Sequence, residues 1–81
     1  MQRTEILHTT QAAFEKVLGH ANFTLDESTT AEDVDGWDSI THMLLINEVE
    51  SRLNLKFTLM ELMDLKNIGE LMDCIQAKQQ A

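Results

Sequence analysis

The stretch EDVDGWDSITHMLLINEVESRL at residues 32–53 decides the fold, because an acidic loop changes within it into a long apolar segment. Asp38 stands at this change and can accept hydrogen bonds from the free N–H groups of a first helical turn. The apolar segment continues to Leu53, after which Asn54 can turn the chain. The stretch therefore predicts a helix that begins at Asp38-Ser39 and carries a serine, Ser39, at its start.

Three other segments have helical spacing. In the first, apolar residues recur at steps of three and four, with Thr4 expected as the N-cap and Gly19 as the residue after the helix. Two pairs of a capping residue and an acid three residues later predict a short third helix and a fourth: Thr58 with Glu61, and Asn67 with Glu70. We therefore predict an all-α fold, a small bundle of three longer helices and one short helix.

A long loop separates the first two helices, from about His20 to Trp37. It exceeds the roughly 12–15 residues beyond which an unstructured connection is unusual, so we expect it to be anchored. Four apolar residues have the spacing to pin it onto the bundle: Phe23, Leu25, Val34 and Trp37. Five acids are expected to face water: Asp26, Glu27, Glu32, Asp33 and Asp35.

The composition predicts one domain, residues 1–81, because 81 residues that are 43% hydrophobic suffice for a single core. The net charge of -8 repels nucleic acid and anionic membranes and attracts basic proteins. The single Cys74 cannot form an internal disulfide. Neither a signal-peptide pattern nor an apolar run of about 20 residues occurs, so we expect a cytoplasmic protein without a membrane partner.

Metal sites find no support in the sequence. Asp33 and Asp35 precede Gly36 as in a calcium-binding loop, but Ala31 and His42 then occupy the first and twelfth positions, where carboxylates are needed. The three histidines and the cysteine share no zinc-ligand spacing. We predict no metal site.

Hydrolytic chemistry has equally little support. Ser39 and His42 are three residues apart and would be neighbours on one helix. Ser39 lacks the flanking glycines of a nucleophile elbow, however, and no third group is evident that would orient His42. We therefore predict no catalytic residue and interpret His42 as a surface histidine.

The setting of Ser39 resembles that of the acyl and peptidyl carrier proteins. Their signature is an Asp-Ser-Leu triplet at the start of the second helix, matched here by Asp-Ser-Ile at residues 38–40. The resemblance spans nearly the whole chain, including Phe57 before the third helix and the closing NIGELMDCI at residues 67–75. It implies that 4′-phosphopantetheine is attached covalently to Ser39, with Asp38 and Ile40 flanking it where the modifying enzyme binds.

The resemblance also implies a function and partners. The protein would be a monomer and not an enzyme, holding an acyl, aminoacyl or polyketide intermediate as a thioester. Its partners would be a phosphopantetheinyl transferase, an acyl-loading ligase or acyltransferase, and downstream synthase enzymes. A phosphodiester on Ser39 is expected beside unpaired N–H groups at the positive end of the helix dipole, with Asp38 opposing slightly.

The second helix departs from the family pattern. Ile40 replaces the leucine of the triplet, and Thr41 and Leu44 stand where carriers of primary fatty-acid synthesis have acids. These departures favour a specialised, stand-alone carrier of lipid or secondary metabolism. Five residues are predicted to form its partner surface: Asp38, Ile40, Thr41, Leu44 and Glu48.

Two questions stay open at this stage. Four methionines are expected on helices that line one core, where they either fill it or form a cavity for an acyl chain: Met43, Met60, Met63 and Met72. The alternative function is a small acidic adaptor that binds partner helices through MLLI at residues 43–46. In that case Ser39 is merely a helix cap.

Overall fold

The computed structural model describes residues 2–80, which form four α-helices and one 3₁₀ turn, with no strand in that range. The α-helices are α1 (Arg3–Leu18), α2 (Ser39–Leu53), α3 (Leu59–Met63) and α4 (Ile68–Gln80). The 3₁₀ turn, Ala31–Asp33, lies within the loop between α1 and α2. The predicted all-α architecture of three longer helices and one short helix is confirmed.

Helix α2 begins and ends where its sequence predicts. The Asp38 carboxylate accepts hydrogen bonds from the N–H groups of Ile40 and Thr41, both at 2.9 Å. The helix ends at Leu53 and is followed by Asn54, whose backbone adopts the left-handed conformation with φ of 56°. An asparagine tolerates that conformation better than most residues, so it stops the helix without glycine.

Helix α3 begins with the predicted reciprocal cap. The Glu61 N–H donates to the Thr58 hydroxyl at 3.2 Å, and the Thr58 N–H donates to the Glu61 carboxylate at 2.7 Å. This cap is needed because a helix of five residues gains little from its own backbone hydrogen bonds.

The expected start of α1 was wrong by two residues. Thr4 lies inside the helix, and the capping residue is Gln2, whose N–H donates to the Glu5 carboxylate at 3.2 Å. An acid three residues after the cap can supply this bond whatever the capping residue is. Glu5 therefore allows the helix to begin before Thr4. The predicted end is confirmed, because Gly19 has φ of 75° and its N–H donates to the Glu15 carbonyl at 3.0 Å.

The core lies where α1 packs against α2 and α4. Each long helix contributes one buried face, whereas α3 contributes a single buried side chain, Leu62. The largest buried side chains are those of Phe14, Ile6, Leu45, Ile46, Ile68, Leu71, Met72 and Ile75. Burial of side chains of this size stabilises the fold by about 1.5–3 kcal/mol each.

The long loop is anchored as predicted. Leu25 and Val34 are buried, and Phe23 and Trp37 are half-buried against the core. The five acids of the loop are exposed, as expected.

The loop also binds α4 through its backbone, which its sequence does not indicate. The N–H groups of Ile68 and Gly69 donate to the carbonyls of Thr29 and Glu27 at 2.9 and 2.8 Å. A Cβ atom on Gly69 would lie only 2.8 Å from that Glu27 carbonyl oxygen. Glycine is therefore required here, because the two backbones come closer than any side chain permits.

The expectation that four methionines line one core was wrong for three of them. Met72 is buried, but Met43 is exposed, as are Met60 and Met63, at 75% and 76%. Helix α3 is too short to turn more than one of its side chains inward, and Leu62 takes that position. Aliphatic side chains and Phe14 fill most of the core instead.

Candidate functional site

Ser39 is the first residue of α2, and its side chain is exposed. Its hydroxyl makes no hydrogen bond to any residue in the range 2–80. The hydroxyl of Ser28, by contrast, donates to the Asp26 carboxylate at 2.6 Å. Asp38 rather than Ser39 caps the helix, so the Ser39 hydroxyl is not occupied by a structural role.

A compact set of hydrogen bonds fixes the turn that precedes Ser39. The Thr41 hydroxyl accepts the Asp38 N–H at 2.9 Å and donates to the Gly36 carbonyl at 2.6 Å. The N–H bonds from Thr41 and then Ile40 hold the pKa of the Asp38 carboxyl below its usual value, because they stabilise the carboxylate. Asp38 is therefore charged at neutral pH.

The same bonds correct one expectation about the helix start. The N–H groups of Ile40 and Thr41 are not available to a phosphate, because both donate to Asp38. In the first turn of α2, the Ser39 amide keeps no partner among the described residues. The positive end of this helix therefore offers fewer free N–H donors to an anion than predicted.

His42 is half-buried and oriented, which corrects its interpretation as a surface histidine. The Trp37 Nε1–H donates to His42 Nδ1 at 3.0 Å, and the two ring planes lie within 12° of each other. The Trp37 ring in turn packs nearly perpendicular to that of Phe14, at 5.0 Å between centroids. Trp37 is no acid, so this arrangement does not make Ser39 and His42 a catalytic triad.

A cleft of ≈ 360 Å³ opens beside Ser39, between the start of α2 and the α3 region. Its polar residues are Asp38, Ser39, His42 and Lys66. Its apolar residues are Ala31, Trp37, Met43, Leu62, Met63 and Leu65. A free hydroxyl at a cleft with both polar and apolar walls fits a flexible group joined through a phosphate.

The residues predicted to contact partners differ in their environment. Ile40 and Leu44 are exposed, at 78% and 52%. Thr41 is half-buried in the cap, and Glu48 is paired within the molecule with Arg52 at 2.8 Å and with Lys16 at 3.5 Å. Helix α3 adds exposed apolar side chains that were not predicted to contact partners: Leu59, Met60 and Met63.

Two other kinds of site were sought in the described residues. No group of three or more histidine, cysteine or acidic side chains between residues 2 and 80 is placed to hold a metal ion. None of the helices in that range is both long enough and apolar enough to cross a bilayer.

Comparisons with known proteins identify the family. The family model for the phosphopantetheine attachment site matches residues 8–75. The solution NMR structure of the holo acyl carrier protein from Geobacter metallireducens is similar, with a TM-score of 0.83 and 37% sequence identity over 93% of this chain and 86% of that chain. No curated protein matches the sequence significantly.

The fold and these comparisons define a small helical carrier rather than an enzyme. The chain belongs to the acyl carrier protein family of phosphopantetheine-binding proteins. Its prosthetic group is therefore a covalently attached 4′-phosphopantetheine.

Proposed function

We propose that residues 1–81 form a single carrier domain in which Ser39 bears the 4′-phosphopantetheine arm. The observation that carries this proposal is the exposed, unbonded Ser39 hydroxyl at the start of α2, beside the cleft and inside the matched range 8–75. When bound, the arm supplies a terminal thiol that can hold an acyl group as a thioester.

Attachment requires little chemistry from the chain itself. A bond forms between Ser39 Oγ and the phosphorus that carries pantetheine in coenzyme A, and the adenosine bisphosphate half leaves. The proton of the hydroxyl passes to a base of the transferase. The fixed turn through Asp38 and Thr41 presents the hydroxyl at a constant position, which lowers the entropic cost of this encounter.

Intact mass spectrometry tests the attachment residue. After incubation with coenzyme A, magnesium and a broad-specificity phosphopantetheinyl transferase, we expect the wild type to gain one phosphopantetheinyl group. Ser39→Ala should gain none, because it removes the reacting oxygen. Ser51→Ala, which removes an exposed serine elsewhere on α2, should be modified like the wild type. An unmodified wild type, or modification that persists in Ser39→Ala, would overturn the proposal.

We further propose a specialised role for the carrier, in lipid or secondary metabolism. Ile40 and Leu44 place apolar side chains on the exposed part of α2, and Asp38 adds a charge beside Ser39. Thr41 and Glu48 support this partner surface through the cap and the ion pairs. Such a surface favours enzymes with an apolar contact over enzymes that recognise a row of acids.

The proposed partners are the transferase, a loading ligase or acyltransferase, and synthase enzymes that act on the bound intermediate. The protein would act in the cytoplasm as a monomer. The exposed Ile40, Met43 and Leu44 also favour the second candidate, an adaptor that binds partner helices. The mass experiment separates the two, because an adaptor would remain unmodified.

A further inference from the structure

The start of α2 supplies few donors for a phosphate on Ser39. The N–H groups of Ile40 and Thr41 already donate to Asp38, as described above. The Asp38 carboxylate also repels a second anion beside it. If the proposed attachment at Ser39 is right, the helix start offers the phosphodiester only the N–H of Ser39 itself, so further donors must come from the cleft.

His42 is the first such donor. It lies one turn after Ser39, so their Cβ atoms are about 5–6 Å apart, and both residues line the same cleft. The indole of Trp37 can only donate, so His42 Nδ1 must be the acceptor of their 3.0 Å bond. The proton of the neutral imidazole is then on Nε2, which has no hydrogen-bond partner among residues 2–80.

Lys66 is the second donor, and it brings a positive charge. Four of the six Lys and Arg residues form ion pairs with carboxylates: Arg3, Lys16, Arg52 and Lys78. Within the part of the chain that the structure describes, Lys56 and Lys66 have no such partner. Of these two, Lys66 lines the cleft beside Ser39, whereas Lys56 lines a separate depression at the far end of α2.

We infer that His42 Nε2–H and the Lys66 ammonium group together bind the phosphodiester of the arm on Ser39. Trp37 is a positioning residue, because its hydrogen bond keeps the donor proton on Nε2. Hydrogen bonds between a cation and a phosphate oxygen are short and strong, so Lys66 offsets the repulsion from Asp38. The root of the arm is thereby held in place while its thiol end stays free to reach partner enzymes.

Two substitutions at His42 separate its two hydrogen bonds. His42→Asn retains an acceptor near the Nδ1 position for Trp37 but lacks the Nε2 donor. His42→Gln places an amide near the Nε2 position but lacks the acceptor for Trp37. Lys66→Met removes the charge beside Ser39, and Lys56→Met is its matched control at the far end of α2.

The experiment compares apo and holo protein by NMR. Intact mass is measured first, to establish that every sample carries one phosphopantetheinyl group, whose place the Ser39→Ala protein identifies. In the wild type, we expect the ¹⁵N resonance of His42 Nε2 to shift when apo protein becomes holo. The ³¹P resonance of the holo protein should shift in His42→Asn and Lys66→Met and stay unchanged in Lys56→Met. His42→Gln should retain part of the wild-type ³¹P position.

The outcomes distinguish this inference from the proposed function. A modified wild type whose Nε2 resonance does not move, and whose ³¹P resonance is the same in His42→Asn and Lys66→Met, overturns the inference alone. A wild type that gains no mass at Ser39 overturns both. The apo and holo comparison uses unaltered protein, so it does not depend on the folding of any variant.

Discussion

At the start of α2, two neighbouring residues divide the roles that a serine at a helix N-terminus often combines. Asp38 accepts both first-turn N–H bonds, and Ser39 keeps an unbonded hydroxyl. A serine that capped its own helix would lose that cap on modification. If Ser39 bears the arm as proposed, its modification therefore removes no hydrogen bond from the fold.

Trp37 is the residue whose packing has the largest effect near Ser39. Its ring contacts Phe14 in the core and donates a hydrogen bond to His42. Trp37→Ala should lower the free energy of unfolding by about 2 kcal/mol, because a half-buried large side chain is lost. Trp37→Phe keeps the contact with Phe14 but not the bond to His42, so it should cost only about 1 kcal/mol.

Urea unfolding followed by circular dichroism measures both free energies. Equal free energies of unfolding for Trp37→Ala and the wild type would show that the ring does not anchor the loop.

At the scale of elements, one residue of α3, Glu61, makes three polar contacts beside the buried Leu62. Its carboxylate accepts hydrogen bonds from Lys78 Nζ at 2.8 Å, from the Thr58 N–H at 2.7 Å and from Cys74 Sγ at 3.5 Å. Chiefly because of Lys78, the pKa of Glu61 is lowered to about 2. Because Leu62 is the single buried residue of the helix, the bonds from Lys78 and Cys74 add a polar connection from α3 to α4.

The low pKa of Glu61 predicts how stability depends on pH. The pKa falls from 4.5 to about 2 on folding, so the carboxylate stabilises the fold above pH 4.5 and loses this effect as pH falls towards 2. Glu61→Gln should therefore melt at a lower temperature than the wild type at pH 7, with the difference disappearing near pH 2. Melting curves followed by circular dichroism at several pH values measure this difference.

Glu32→Gln is the control for this prediction. Glu32 is exposed, and in the described residues it makes no hydrogen bond or ion pair. Its substitution should leave the pH dependence of melting close to that of the wild type. A Glu61→Gln protein that melts below the wild type by the same amount at every pH would contradict the assigned role of the carboxylate.

The elements could be predicted where their signals are local. The caps of α2 and α3 depend on residues within three positions of each other, so Asp38, Thr58 and Glu61 were recognisable in the sequence. The exposure of Met60 and Met63 could not be predicted, because a helix of five residues has no periodic pattern that identifies its inner face. The hydrogen bonds from α4 to the loop carbonyls could not be predicted either, because they join backbone atoms that are distant in the sequence.

The candidate site was predictable in part for the same reason. The motif and its helix singled out Ser39, and the free hydroxyl is consistent with that prediction. The orientation of His42 was missed, although Trp37 lies only five residues earlier, because the loop and the helix must pack before the two rings meet. Lys66 was missed because it approaches Ser39 only through the tertiary fold.

At the scale of the whole molecule, the charged residues that give the net charge of -8 are unevenly distributed over the surface. Several carboxylates are paired within the fold, such as Glu27 and Asp73 with Arg3, and Glu48 with Arg52. The exposed part of α2 after Ser39 is instead apolar, at Ile40 and Leu44. If α2 is the proposed partner surface, enzymes would meet a largely uncharged helix on an acidic protein.

Leu44→Glu tests whether this surface selects partners. The modified wild type should be a poor substrate for general fatty-acid elongation enzymes, and Leu44→Glu should improve its use by them while weakening its own partner. Thr41→Asp is the less suitable change, because it would disrupt the bond from Thr41 to Gly36. Leu44 is half exposed, so the substitution should change stability by less than about 0.5 kcal/mol.

Elongation rates at low and moderate salt measure the effect, since an electrostatic gain must decrease as ions screen it. Asn47→Glu, one turn further along α2, adds the same charge at another exposed position and should improve elongation less. A wild type that is elongated as efficiently as a primary fatty-acid carrier would contradict the specialised role.

The contacts of Arg3 have a consequence for how the chain folds. Its guanidinium reaches Asp73 and Gln76, and the first of these pairs joins residues 70 positions apart. Contacts at such separation form only after a long segment has closed, at an entropic cost that rises with the logarithm of its length. Helices α1 and α2 can meet early through nearer contacts, whereas the arrival of α4 completes the structure. We therefore expect the bonds from Arg3 to Asp73 and Gln76 to form late in folding, so that their loss speeds unfolding more than it slows folding.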